Sequence, residues 1–373
     1  MSRSILIMAG GTGGHIFPAL AVADILRAQG WKVTWLGAPN SMEADIVPRH
    51  GYEMVWVRFS GVRGKGLLRL LVLPFDLLIA LWQSAVAIFR ARPDVVLGMG
   101  GYITFPCGVM AALLRRPLVI HEQNSVAGMS NKALAHIAQK VLSGFPEVLP
   151  KAKWCGNPVR SDIAALPEPR KRYAERNERL NVLVVGGSLG AKAINEVLPQ
   201  ALALIPQDMR PKVIHQTGKQ HFEAVKRAYQ QAGVQADIKP FIDEMARKYG
   251  DADLVICRAG ALTVAELAAA GVASILIPFP FAVDDHQTGN AHFLSDRGAA
   301  VLLPQSEMSA EKLSQLLLEM GGDQGRARLL AMAQHARGVA KADAATVVAK
   351  VCADLVEQAE GAGAINHVRT GEK

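Results

Sequence analysis

The stretch Ser4–Leu20, SILIMAGGTGGHIFPAL, constrains the fold more than any other. The apolar run Ile5 to Met8 reads as a buried parallel strand. It leads into Gly10, Gly11, Thr12, Gly13 and Gly14, and past His15 and Pro18 into a predicted helix over Ala19–Ala28. Strand, glycine turn and helix together bring main-chain N–H groups against a ligand at the carboxyl edge of an open α/β sheet. Without Cβ atoms, the glycines let another molecule approach the backbone. His15 falls at that edge.

Strand and helix signals then alternate. Further strands are predicted at Lys32–Leu36, Met54–Val57, Asp94–Leu97, Leu118–His121 and Lys140–Leu142. The charged segment Leu166–Leu180, with two prolines, reads as the approach to a second domain. At Asn181 the pattern restarts with NVLVVGGSLGAKAIN, followed by strands at Lys212–His215, Leu254–Cys257, Ser274–Pro278 and Ala300–Leu303. Repeated β-turn-α units imply two doubly wound parallel sheets, and 373 residues suit two cores. The expected division is 1–160, 161–358 and a flexible tail at 359–373.

Charge and cysteine usage narrow the function. The net charge of +8 favours anionic partners, but no basic run interleaved with aromatics occurs, which argues against nucleic acid. Four scattered cysteines without a CxxC suggest neither a zinc site nor a disulfide framework, and fit a reducing cytoplasm. The chain enters its first strand without the pattern of a signal peptide.

The run Leu67–Phe89, LLRLLVLPFDLLIALWQSAVAIF, is long enough to span a bilayer, but Arg69, Pro74, Asp76 and Gln83 interrupt it. The plain alternative is a core helix over 75–89. A ridge carrying Leu67, Leu68, Leu71, Phe75 and Trp82, rimmed by Arg58, Arg63, Lys65, Arg69, Arg90 and Arg92, has the composition of a surface that docks on anionic lipid. Surface association is the preferred reading and spanning the least favoured.

Neither glycine turn is a dinucleotide fingerprint. Counting from Gly11, the sixth position is Ile16; Ser188 breaks the second turn; Gly37 stands where an acid would follow the second strand. The stretch CRAGALTVAEL (Cys257–Leu267) places a helix start near Thr263, which offers N–H groups to a diphosphate, with Glu266 a turn further on for ribose hydroxyls. A capping box from Thr263 to Glu266 is the plainer account. In FPFAVDDHQTGN, Gln287 and Asn290 suit sugar hydroxyls, while a solvated loop is the alternative. His121, Glu122, Gln123 and Asn124 form a polar cluster at a strand end, which helix capping at Asn124 or Ser125 would also explain. Arg160 is a phosphate partner or an ordinary surface arginine.

Taken in order, GGTGGHIFPALAVA, GMGGY, HEQN, GNPVR, GGSLGA, RAGALTVAE and DDHQTGNA resemble the MurG family, over roughly residues 4–350. The resemblance implies a GT-B fold: two Rossmann-like domains with a deep interdomain cleft. It implies an inverting transfer of GlcNAc from UDP-GlcNAc to lipid I, the undecaprenyl-diphospho-MurNAc-pentapeptide, giving lipid II for peptidoglycan. It further implies that the Ser188 turn and Arg160 approach the diphosphate, and that Ile242 meets uracil through its backbone. Ala261, Leu262, Thr263 and Val264 would hold phosphates, Glu266 the ribose, and Gln287 with His286 and Asn290 the sugar. Thr12, Gly13, Gly14, His15 and Asn124 would face sugar and acceptor. His15 is the expected general base, since imidazoles ordinarily titrate near neutrality, and Glu122 is a weaker candidate. No metal or other cofactor is expected. The implied location is the cytoplasmic face of the bacterial inner membrane, with an anionic lipid surface and proteins of wall synthesis and division as partners. Two other readings compete: a UDP-GlcNAc 2-epimerase-like enzyme, which needs no apolar ridge, and a membrane-docked nucleotide-sugar sensor, which needs neither His15 nor the HEQN cluster.

Overall fold

A computed structural model describes residues 2–59, 66–174, 176, 179–187, 190–322 and 324–370; the side chains of 66–71, 283 and 362–370 lie outside that description. The chain packs as two units, one of residues 1–159 with 342–373 and one of residues 160–341.

The first unit begins with β1 (Ser4–Met8), α1 (Gly13–Ala28), β2 (Lys32–Gly37), α2 (Met42–Ile46), β3 (Glu53–Trp56) and α3 (Gly66–Ala91). It continues through β4 (Val95–Gly98), α4 (Thr104–Leu113), β5 (Leu118–Glu122), α5 (Met129–Leu134), β6 (Lys140–Ser143) and β7 (Lys153–Trp154). Its seven strands lie in the order β3-β2-β1-β4-β5-β6-β7, and the pairings are parallel. Such a sheet is covered on both faces, so its central strands are apolar: Ile5 to Met8 and Val95 to Leu97 are all buried. The order reverses between β1 and β4, where Met8 pairs with Gly98. The GGTGG and GMGGY turns therefore leave the sheet side by side at its switch point.

α1 starts six residues earlier than the sequence suggests, which puts Gly13, Gly14 and His15 in its first turn and Pro18 inside the helix. The two-residue strand β7 carries too little apolar pattern to be read in advance.

The second unit runs α6 (Ser161–Ala164), α7 (Pro169–Ala174), β8 (Asn181–Val185), α8 (Lys192–Ala203), β9 (Lys212–Gln216), α9 (Phe222–Gln231), β10 (Asp237–Lys239) and α10 (Met245–Asp251). It then runs β11 (Leu254–Cys257), α11 (Ala261–Ala270), β12 (Ala273–Leu276), α12 (His286–Ser295), β13 (Ala300–Leu302), α13 (Ala310–Gly321) and α14 (Gly325–Gly338). The parallel sheet has the order β10-β9-β8-β11-β12-β13, and its switch point lies between β8 and β11. The charged segment after Leu166 is structural. Arg172 donates to the carbonyls of Tyr249, Gly250, Ala270 and Gly271, and Arg176 to those of Gly250 and Ala252. These are the carbonyls that α10 and α11 leave without helical partners at their carboxyl ends.

The expected boundary at 358 is corrected by the last helix, α15 (Ala344–Thr370). Ala345, Val348, Ala349, Cys352, Leu355 and Val356 repeat at helical spacing and are buried in the same core as Ile16, Leu20 and Ala23 of α1. The chain thus returns to its first unit after Lys341, and helical backbone continues through most of the stretch read as a tail. Val348→Asp should place an unpaired charge in that core and destabilise the first unit by about 3 kcal/mol. Thermal melting checks this, and a transition equal to wild type would show that α15 is not part of the core.

Candidate active site

In the first unit the glycine turn is held from below by a side chain that the sequence did not single out. Glu43 of α2 is fully buried. Its carboxylate accepts from Gly11 N at 3.1 Å and from Ala38 N at 3.1 Å. A Cβ on Gly10 would lie 2.6 Å from that carboxylate, so the approach requires glycine there. On the other side, Gly101 (φ +91°) has its Cα pressed against the Gly10 carbonyl, where any Cβ would collide. Thr12 caps α1 by backbone position only, with no side-chain hydrogen bond. The N–H groups of Gly13 and Gly14 therefore have no capping side chain, and the positive end of the helix dipole faces the sheet edge.

His15 leans on the HEQN cluster. Its Nδ1 lies 2.8 Å from Gln123 Oε1. Gln123 Nε2 lies 3.0 Å from His121 Nδ1 and 3.1 Å from the His121 carbonyl oxygen. His121 Nε2 reaches the Gly156 carbonyl oxygen at 2.9 Å. Burial pushes the His121 imidazole down to about 4, opposed by its bond to Gly156 and by the nearby Glu122. Glu122 is buried and saturated: it accepts from Asn124 N at 2.9 Å, Gly128 N at 3.0 Å and Asn131 Nδ2 at 2.9 Å. That geometry makes it the anchor of the loop after β5 and leaves it poorly placed to take a substrate proton. Asn124 is half-buried, with Nδ2 at 3.3 Å from Glu122.

In the second unit a cavity of about 780 Å³ opens at the carboxyl edge of the sheet. Gly186, Gly187 and Gly190 from the β8–α8 turn line it, as do Gly260 and Thr263 from the start of α11. Gly187 and Gly190 have φ of +78° and +80°, and a Cβ on Gly190 would strike the Thr217 carbonyl. Helix α11 begins at Ala261 with Gly260 as its cap, so Thr263 is not the cap and there is no capping box. Instead Glu266 is buried one turn in, with Oε1 3.4 Å from Arg160 and Oε2 3.2 Å from the Tyr249 hydroxyl. Burial raises its pKa, and the Arg160 charge works against that rise.

The expected sugar and phosphate residues divide. Thr263 and Gln287 line the cavity, and Gln287 Oε1 accepts from Phe279 N at 3.0 Å. Ala261 and Val264 are buried, so their side chains offer a ligand nothing and only backbone can serve. Asn290 is fully buried and donates from Nδ2 to the Ala259 carbonyl at 3.1 Å, bracing the turn before α11. Ile242 is buried, beside an exposed Phe241. His286 and Leu262 are half-buried at the first turns of their helices. Ser188 lies outside the described residues.

Sequence reasoning passed over Arg258, Phe279, Phe281 and Gln305 in the cavity wall. Arg258 Nη2 donates to Gln305 at 2.6 Å, and its guanidinium sits over the Phe279 ring at 5.3 Å. An arginine directly after an apolar strand was the available signal. A cavity of about 790 Å³ also lies at the opposite edge, among Asn181, Lys212, Asp237 and Asp251. It meets the amino ends of strands and the carboxyl end of α10, and Arg179, Arg210 and Lys248 also line it.

Two doubly wound sheets, with uncapped helix starts at their switch points, define the class of nucleotide-sugar glycosyltransferases once known proteins are compared. The glycosyltransferase family 28 N-terminal domain matches residues 5–143, and the family 28 C-terminal domain matches residues 181–350. Two relatives carry the name UDP-N-acetylglucosamine--N-acetylmuramyl-(pentapeptide) pyrophosphoryl-undecaprenol N-acetylglucosamine transferase. The one from Azoarcus sp. (strain BH72) is 59% identical, covering 95% of this chain and 99% of its own. That from Dechloromonas aromatica (strain RCB) is 56% identical, covering 96% and 100%. The crystal structure of Acinetobacter baumannii MurG superposes with a TM-score of 0.82 at 41% identity, covering 94% of this chain and 99% of that one. The chain belongs to the MurG family of glycosyltransferases.

The buried Glu266 gives a pH signature. Its raised pKa means that the folded state holds the proton more tightly, so ligand-free stability falls as pH rises above the ordinary carboxylate range. Glu266→Gln should raise the melting temperature at pH 7–8, with the gain shrinking toward pH 4–5. A difference independent of pH would rule out this role for burial.

Proposed function

We propose that this protein transfers GlcNAc from UDP-GlcNAc to the 4-hydroxyl of MurNAc in undecaprenyl-diphospho-MurNAc-pentapeptide. The observation that carries the reading is near-full-length identity of 56–59% to transferases of that name. The donor is α-linked and the product β-1,4, so the reaction inverts the anomeric carbon in one displacement through an oxocarbenium-like state, as in inverting glycosidases. His15 is the general base. Thr12, Gly13, Gly14 and Asn124 face the donor sugar and the acceptor. Ile242 meets uracil through its backbone, Glu266 holds the ribose, and His286, Gln287 and Asn290 read or shape the sugar site.

The departing UDP needs positive potential. The start of α11 provides N–H groups, and Arg258 and Arg160 provide charge, without a metal. The donor set around the cavity supports this, since its carboxylate, Glu196, lies 3.8 Å from Lys192 in an ion pair. Labelled GlcNAc should pass from UDP-GlcNAc to a short-chain lipid I analogue at a rate unchanged by EDTA. His15→Gln should lower kcat by a factor of about 10²–10⁴ with UDP-GlcNAc binding intact. A folded protein that binds UDP-GlcNAc but transfers nothing would redirect the reading to an epimerase or a sensor.

We also infer that α3 docks on the cytoplasmic face of the plasma membrane. Phe75, Leu78, Ile79, Trp82 and Phe89 share one helix face and are 50–68% exposed. Ala80, Ser84, Ala87 and Ile88 face inward. The stretch Val72–Ala91 is long and apolar enough to cross a membrane by composition, but its inner face packs against α4. Arg90 and Arg92 stand at its end. Leu67, Leu68, Leu71 and Arg69 have side chains outside the described residues, as do Arg63 and Lys65. Docking there would set the enzyme beside its lipid-linked acceptor and beside membrane proteins of wall synthesis and division. Replacing Phe75 and Trp82 together by Ser should weaken binding to phosphatidylglycerol vesicles roughly tenfold or more, with turnover of a short-chain acceptor retained. Unchanged vesicle sedimentation would remove α3 as the docking face.

A further inference from the structure

The polar chain behind His15 permits only one arrangement of protons. Gln123 Nε2 lies 3.1 Å from the His121 carbonyl oxygen, which can only accept, so the amide nitrogen must face it. The same nitrogen faces His121 Nδ1 at 3.0 Å. The other end of the amide, Oε1, is therefore an acceptor, and it lies 2.8 Å from His15 Nδ1. A short contact to an amide oxygen requires a proton on that nitrogen.

His121 closes the chain. Its Nε2 faces the Gly156 carbonyl at 2.9 Å and must donate, so its Nδ1 holds a lone pair toward Gln123. Burial keeps His121 neutral at working pH, which preserves that lone pair. His121 on β5 interacts electrostatically with His15, and the carboxylates of Glu122 on β5 and Glu43 on α2 are both engaged with backbone N–H groups. The backbone of Gln123 is itself held by Asn157 Nδ2, which donates to its carbonyl at 2.9 Å. Gly100 makes room: a Cβ there would lie 2.6 Å from His15 Nδ1 and 3.1 Å from Gln123 Oε1.

We propose that Gln123, backed by His121, is a positioning residue that locks His15 in the Nδ1–H tautomer and leaves the Nε2 lone pair free to act as the base. This rests on the reading of His15 as base. In the step, the O–H bond of the acceptor 4-hydroxyl breaks as its proton passes to His15 Nε2. The hydroxyl oxygen bonds to the GlcNAc anomeric carbon, and the bond from that carbon to the diphosphate breaks with its electron pair leaving on UDP. The imidazolium then keeps its Nδ1–H on the amide oxygen, so the ring does not have to turn during the transfer.

The test is the tautomer itself. Long-range ¹H–¹⁵N spectra of the full-length protein labelled with ¹⁵N-histidine, with His15 assigned by its loss in His15→Gln, should show a protonated Nδ1 and an unprotonated Nε2 at alkaline pH. In Gln123→Met, a near-isosteric change, the His15 signals should move toward a mixture of tautomers. Its kcat should fall roughly 10- to 100-fold, while KM for UDP-GlcNAc stays within about twofold. A protonated Nε2 in the wild type overturns the proposal, as does a Gln123→Met enzyme whose tautomer or kcat is unchanged. Failure of the base reading is distinct: His15→Gln would then transfer at the wild-type rate, whichever nitrogen carries the proton.

Discussion

A buried carboxylate holds the working edge of the first unit. Glu43 has no access to solvent, and its two oxygens accept the N–H groups of Gly11 and Ala38, one from the turn after β1 and one from the turn after β2. Two loops that leave adjacent parallel strands diverge unless something ties them, and backbone N–H groups at a strand end have no ladder partner left. Glu43 supplies both missing acceptors. Its bulk is also why Gly10 and Gly37 tolerate no Cβ. With Gly101 pressed on Gly10 from the other side, the first turn of α1 has one position available, and His15 is carried with it.

The second unit reaches the same end by different means. No comparable carboxylate lies under its glycine turn among the described residues. The turn before α11 is braced instead by Asn290, reaching from α12 to the Ala259 carbonyl, and by Arg258, reaching from the end of β11 to the carbonyls of Ile277 and Pro278. Together these contacts fix the turn beside a cavity of about 780 Å³ that Arg258 lines.

The division between the units has a physical basis in the same residues. In the first unit, polar side chains are spent on orienting one imidazole: Gln123, His121 and Asn157 all point at one another or at backbone, and Glu122 ties down the loop that carries them. In the second, charge is kept at the rim, with Arg160 on Glu266 and Arg258 on Gln305.

Local pattern made most of the fold legible. Apolar runs ending in glycine located β1, β4, β8 and β11 to within a residue or so, because a strand buried on both faces must be apolar and a ligand-facing turn must lack Cβ atoms. The glycines and His15 could be read as a site for the same reason. Other features depend on partners far away in sequence. Glu43 carries no local signal, and the fold alone sets it under Gly11. Thr263 and Glu266 had the spacing of a capping box, but the helix began at Ala261 and Glu266 turned inward to Tyr249 and Arg160. The apolar stripe on α15 is covered by α1, which only the tertiary fold shows, because such a stripe states that it must be covered and not by what. The sequence by itself thus determined the two parallel sheets and the position of their glycine turns. Tertiary structure decided which acids are buried, where the last helix docks and which nitrogen of His15 is left free, since each depends on long-range contacts that no local pattern encodes.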